Sequence, residues 1–189
     1  MKMKKKSLSL VAISVVAIAM VGFISMDFSP ETKSTEMNVL MKAQTPFDLA
    51  EQADYVIEGT VIDMKVVLVD MPKERDADRI FTEVTLSVDA DIMNNYGEDT
   101  ITFAIFGGQV GELTFSANVS PEFTIGEKVL VYIGENKENY TYQGRNYVLG
   151  HSQGVLEIKD NGTLVDKFRE TVYDKELVIS KSQQIKGPL

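Results

Sequence analysis

Residues 79–92 read RIFTEVTLSVDADI. In an extended chain, Ile80, Thr82, Val84, Leu86 and Val88 share one side, and Glu83, Thr85, Ser87 and Asp89 share the other, because successive strand side chains point to opposite faces. One dry face and one wet face at a period of two predict a half-buried antiparallel strand. The same period continues upstream in YVIEGTVIDMKVVLVD (55–70), which is rich in β-branched residues and long for one strand, so a bend is expected at Gly59. Between the two runs, MPKERDADR (71–79) forms a charged loop.

Working outward, NNYGEDT (94–100) signals a turn, and TITFAIF (100–106) is a strand with Ile101, Phe103 and Ile105 on one side. KVLVYIG (128–134) is an almost unbroken apolar run suited to a central strand. Tyr140–Tyr142 and Tyr147–Leu149 flank QGRN as a hairpin, and QGVLEIKDNGTLVDKF (153–168) is a second one with Asn161-Gly162 as a type I′ turn pair. A short helix precedes the strands in TPFDLAEQAD (45–54), where Thr45 caps, Pro46 opens the helix and Asp48 reaches back to the cap amide. The last segment, from Phe168, can begin as a helix through Phe168 and Val172 and end in a loose tail. Nothing between the strands is long enough for a crossover helix. The expected fold is all-β: an OB-like antiparallel barrel of five to eight strands, with one short N-terminal helix and an optional C-terminal one.

The chain opens MKMKKK and then runs apolar from Leu8 to Ile24. A cationic start followed by an apolar run predicts a secretory signal peptide, or an uncleaved N-terminal membrane anchor, since about 17–25 apolar residues span a bilayer. Ala17 and Ala19 would allow cleavage before Met20, although the apolar run continues past it. Residues 1–26 are therefore assigned to the leader, 27–44 to a linker, 45–168 to the barrel and 169–189 to a C-terminal extension. The body is expected outside the cytoplasm, extracellular or in the cell envelope, with membrane contact through residues 8–24 if the leader is kept. The chain has no cysteine, which excludes a lipoprotein anchor and a disulfide framework. Without the four leading lysines, 15 basic residues face 28 acidic ones, a formal charge of −13. Such a surface repels nucleic acid, so a protein or cell-surface partner is expected instead.

The glycines of AIFGGQVGELTF (104–115) decide between a phosphate cradle and a bend. A cradle needs a helix N-terminus after the glycines, but ELTFSANVS (112–120) holds no lysine or arginine and no helical stripe. Gly107, Gly108 and Gly111 are read as a turn or bulge. His151 is the one histidine, and its neighbour Ser152 would point to the opposite strand face, so no catalytic residue is assigned. No cofactor is expected. Asp70, Asp76 and Asp78 crowd one loop without the EF-hand pattern, which makes a calcium site a minor alternative to solvated charge. A glycosidase-like use of paired carboxylates would need two acids facing across a cleft. Asn139 and Asn161 fit the glycosylation acceptor rule. Tyr140, Tyr142 and Tyr147, with Gly107, Gly108 and Gly111, are the candidate ligand contacts, the tyrosines reading first as ordinary cross-strand pairs.

Taken together, AEQADYVIEGTV (50–61), FTEVTLSV (81–88), the GG-x-x-G turn (107–111), PEFTIGEKVLVYI (121–133) and LGHSQGVLEI (149–158) resemble exported prokaryotic β-domains of poorly defined role. More distantly, the layout is similar to the OB-type barrels of netrin and tissue-inhibitor-of-metalloproteinase modules. The resemblance covers about residues 46–160 and implies fold and export, with no catalytic residue. The inhibitors' metal-binding N-terminal cysteine has no counterpart here. The reading is a non-enzymatic exported binding or surface module, with a carboxylate-dependent hydrolase and a calcium-dependent adhesion module as alternatives.

Overall fold

The computed structural model describes residues 33–70, 79–136, 141–142 and 144–185. In chain order the elements are β1 (Lys33–Met37), α1 (Pro46–Gln52), β2 (Tyr55–Val69), β3 (Arg79–Asp91), β4 (Thr100–Phe106), β5 (Gly108–Val110), β6 (Leu113–Ala117), β7 (Lys128–Gly134), β8 (Tyr147–Val148), β9 (Val155–Ile158), β10 (Thr163–Asp166), β11 (Thr171–Asp174) and α2 (Lys175–Ile185). A single 3₁₀ turn, His151–Gly154, separates β8 from β9.

Five strands close a barrel in the order β7-β2-β3-β4-β8, with β8 returning to β7. The expected all-β, OB-like barrel is present, and it is not wholly antiparallel. β4 and β8 run parallel, meeting at Ala104 and Tyr147. A ring with an odd number of strands cannot alternate direction all the way round, so one parallel contact follows from closure with five. The expected alternation in β3 holds: Ile80, Val84 and Leu86 are buried, while Glu83, Thr85 and Ser87 are half-buried and Asp89 is exposed. β2 bends as its length requires. Register shifts fall at Glu58/Gly59 and Val61/Asp63, and a Cβ on Gly59 would stand 2.5 Å from the Ser87 carbonyl oxygen.

The interior is filled by Ile57, Val84, Leu86, Ile101, Phe103, Val129, Val131 and Ile133, all at most 1% exposed. Burying each such side chain contributes roughly 1.5–3 kcal/mol. β7 is apolar on both faces because a second layer covers its outside: Leu130 and Tyr132 pack with Leu49 and Ala50 of α1, Ala53 just past its end and Val178 of α2. α1 starts as expected, with the Thr45–Asp48 capping box formed in both directions.

Several segments depart from the sequence reading. Residues 33–37, within the assigned linker, form a strand pairing in parallel with β6. Phe168 and Val172 do not open a helix: Asp166 Oδ1 accepts from the Phe168 and Arg169 amides at 2.9 and 3.1 Å and turns the chain. Residues 171–174 then pair with β10, and the helix starts at Lys175, where Asp174 Oδ1 accepts from Leu177 N–H at 2.8 Å. The β9–β10 hairpin exists, but only Gly162 takes positive φ, 77°, and Asn161 does not, so the turn is not type I′. Tyr142 is in a turn rather than a strand. The leader, with residues 8–24, lies outside the described residues. Among those described, no helix is long and apolar enough to cross a membrane.

Candidate functional site: the barrel seam

β7 divides one of its edges between two partners. Val129–Val131 pair with β9, while Ile133 and Gly134 pair with β8. β8 pairs with β4 at one position, Ala104 with Tyr147. Past that point the end of β4 is bridged to β9 by loops rather than by a strand. Ser120 Oγ donates to the Phe106 carbonyl at 2.6 Å, and Ser152 N–H donates to the Val119 carbonyl at 2.9 Å. Two clefts open along this seam, sharing the wall Ser120–Glu122. The larger, about 410 Å³, runs under Met64, Phe106, Gly108 and Phe115. The smaller, about 200 Å³, reaches Ser152, Val155, Lys167 and Phe168.

Gly107 and Gly108 form the floor where β4 turns into β5. Their φ values are 112° and 134°, a region that disfavours side chains. Gly107 N–H donates to the Ile80 carbonyl at 3.0 Å, and its carbonyl accepts from Thr82 Oγ1 at 2.8 Å, buried. No amide here heads a helix, in keeping with the reading of this stretch as a bend. Gly111, at φ 60°, lies at the tip of the β5–β6 hairpin and does not line either cleft.

Ser152 is buried and its Oγ has no partner among the described residues. His151 next to it is left-handed at φ 52°, half-buried, and 6.2 Å from the Phe106 ring between centroids. Burial holds its imidazole below the ordinary 6.5. The two side chains do not form a nucleophile–base pair. Lys167, in the smaller cleft, pairs with Glu127 and stands 4.0 Å from Glu157.

The tyrosines do come together, but as packing. Tyr142 stacks on Tyr147 at 4.8 Å and 10°, and lies 5.0 Å from Phe106 and 5.8 Å from Phe81. Tyr142 is buried, and that burial raises its hydroxyl pKa. Tyr147 covers Gly134, where a Cβ would come 2.6 Å from its ring. Arg145 Nε, bonded to Glu83 at 2.7 Å, fastens this loop to β3. Tyr140, Asn139, Asp76 and Asp78 lie outside the described residues. Asp70 is exposed just past β2, and among the described residues no three acidic or histidine side chains converge as a metal site requires. Asn161 is exposed, its Oδ1 accepting from Thr163 N–H and Oγ1 at 3.1 and 2.7 Å.

Sequence reading did not find the wall Ser120–Phe123 or the buried Gln153. The one available signal was composition: a Ser-Pro pair after Asn118, which marks a turn without saying what it faces. The fold and seam define a class, a small closed barrel with a filled interior and ligand-sized clefts on its wall. Comparison with known protein families, curated proteins and solved structures finds no match for this chain.

Proposed function

We propose that this chain is a non-enzymatic binding module displayed outside the cytoplasm, anchored by its leader or released from it, and that the seam is its ligand site. The observation carrying this reading is the larger cleft. At about 410 Å³ it falls within the roughly 300–1,000 Å³ typical of ligand pockets, and such pockets are mainly apolar with a few fixed polar groups. Phe106, Phe115 and Phe123 supply the apolar wall, and Thr82 and Ser120 the polar points. Among the described residues Glu122 is the one carboxylate lining either cleft, whereas carboxylate-driven glycoside hydrolysis uses two. The resemblance to exported β-domains and the cationic-then-apolar leader support the location.

The test compares the exported body with a Glu122→Trp variant as baits for native cell-envelope proteins. Glu122 is exposed and lines both clefts, so the indole fills them without entering the core. A partner held by the unchanged protein and lost by an equally stable variant supports the seam; equal capture by both removes it. Mass spectrometry of the mature N-terminus tests export, and recovery of the intact chain from the cytoplasm alone would contradict it.

A further inference from the structure

Residues 33–44 lie along the body as a strap held through their backbone. Lys33 N–H donates to the Glu112 carbonyl at 3.0 Å, and Lys33–Met37 pair in parallel with Leu113–Ala117. Asn118 N–H donates to the Met37 carbonyl at 3.2 Å. The Asn118 side chain then brackets Val39, its Oδ1 accepting from the amide at 2.9 Å and its Nδ2 donating to the carbonyl at 3.4 Å. Gln153 does the same farther on, accepting from Gln44 N–H at 2.8 Å and donating to the Lys42 carbonyl at 3.2 Å. Arg169 Nη1 donates to the Gln44 carbonyl at 2.8 Å.

The strap's side chains contribute far less. None from Lys33 to Thr45 is buried, and Leu40 is fully exposed. A primary amide that both accepts from and donates to one peptide backbone reads extended polypeptide whatever its sequence, and strand addition to a sheet edge gains affinity from the same main-chain bonds. With no buried side chain to offset the entropy of ordering twelve residues, the strap is the described segment best placed to open while the barrel stays folded.

We propose that the edge of β6 with Asn118, Gln153 and Arg169 is a binding track for an extended polypeptide segment. Residues 33–44 fill it in cis, and a strand of another polypeptide takes it, parallel to β6, when they leave. This names a ligand class for the binding module proposed above but rests on the backbone edge of β6 and on Asn118, Gln153 and Arg169, none of which Glu122→Trp alters, so failure of the Glu122→Trp test leaves it standing.

The test uses the full chain and a fluorescein-labelled peptide of residues 31–45, followed by anisotropy. In the unchanged protein the cis segment competes at high effective concentration, so binding is weak. Thr35→Pro/Val39→Pro removes N–H groups from the strap, one of them donating to Asn118, and is expected to tighten peptide binding by about tenfold or more. A scrambled peptide of the same composition should bind within about threefold, since the backbone is what is read, whereas N-methylation at the Val39 position should abolish binding. A folded double variant that captures no peptide, or equal binding of the N-methylated peptide, overturns the proposal. If the double variant does not fold, native-state hydrogen exchange on the unchanged chain decides. Amides of residues 33–44 should exchange at least about tenfold faster than those of the β2–β3 ladder, and equal protection overturns exchange at this track.

Discussion

A side chain at Gly108 should be one of the more damaging single changes at the seam, and its cost can be built from two parts. Gly108 holds φ 134°, where an L-residue is strained by about 1–3 kcal/mol. Its Cβ would also stand 2.5 Å from Val66 Cγ1 and 3.1 Å from Thr82 Oγ1. Valine is stiff at χ1, and moving it about 30° off its rotamer costs about 0.5–1.5 kcal/mol. Thr82 cannot yield freely, since its hydroxyl is bonded to the Gly107 carbonyl. Gly108→Ala should therefore lose about 3 kcal/mol, which for a domain of this size lowers Tm by roughly 10 °C. Gly111→Asn is the control: φ is 60° and no atom lies within 4 Å of a Cβ there, and Asn tolerates that conformation, so the loss should stay below about 1 kcal/mol. Urea unfolding followed by far-UV circular dichroism suits a chain without tryptophan. A Gly108→Ala/Val66→Ala double variant should recover about 1 kcal/mol relative to the sum of the singles. If Gly108→Ala stayed within 1 kcal/mol of the unchanged protein, or cost no more than Gly111→Asn, the steric reading of this bend would be wrong.

Three further outcomes follow from buried or capping groups. The Tyr132 hydroxyl is buried between β7 and α2 and finds no partner at hydrogen-bond geometry among the described residues; the neighbouring Ser182 Oγ donates to the Val178 carbonyl at 2.9 Å and keeps its lone pairs able to accept. Tyr132→Phe should therefore raise stability by about 1 kcal/mol; a loss in urea unfolding would mean that the hydroxyl has a partner. Asp48 is held below its ordinary 3.8 by the Thr45 backbone N–H and then by the Thr45 hydroxyl, both at 2.7 Å. A depressed carboxyl stabilises above its unfolded value and loses that contribution as pH falls through the folded one. The deficit of Asp48→Asn at pH 6 should shrink toward pH 2, and a constant deficit would refute the cap. Burial holds His151 below 6.5, so the unfolded chain takes up its proton first and the folded state loses stability as pH drops through that value. His151→Asn, which accepts φ 52°, should gain on the unchanged protein between pH 7 and 5; parallel stability curves would show that the ring is not desolvated.

The barrel was legible where one face of an element is wet. In β3 the alternation survives because Glu83, Thr85 and Ser87 stand outside the core, and in β7 the unbroken apolar run reflects cover on both sides. Legibility failed where the deciding partner is distant in sequence. The strap 33–44 is polar and aperiodic, and what orders it belongs to Asn118, Gln153 and Arg169. Its own residues carry no signal of it. Phe168 and Val172 sit four apart, as a helical stripe would, yet both are exposed, and the local carboxylate of Asp166 sets a turn instead. The Asn-Gly pair at 161–162 gave the hairpin but not its turn type. There the Asn161 side chain bonds forward to Thr163, which suits a negative φ. The seam was invisible because its walls come from Met64, Thr82, 105–123 and 152–168, segments distant in sequence and joined by closure.

Closure itself bears on the proposal that the seam is a ligand site. The interior of a five-stranded barrel is narrow, and here Ile57, Leu86, Phe103 and Ile133 occupy it with at most 1% exposure, so nothing enters along the axis. The outer wall is covered by α1 and α2 on one side and by the Phe81–Phe106–Tyr142 cluster on another. The seam is uncovered among the described residues, where β7 trades β8 for β9 and loops stand in for a strand. There the buried Ser152 Oγ has no partner among the described residues. A barrel of six strands could have sealed the gap with regular antiparallel pairing. Five strands with one parallel contact leave it open, and the same β6 that walls the larger cleft carries the polypeptide track on its far edge. A segment captured on that track would therefore lie beside the cleft, and its side chains would be the first groups able to reach it.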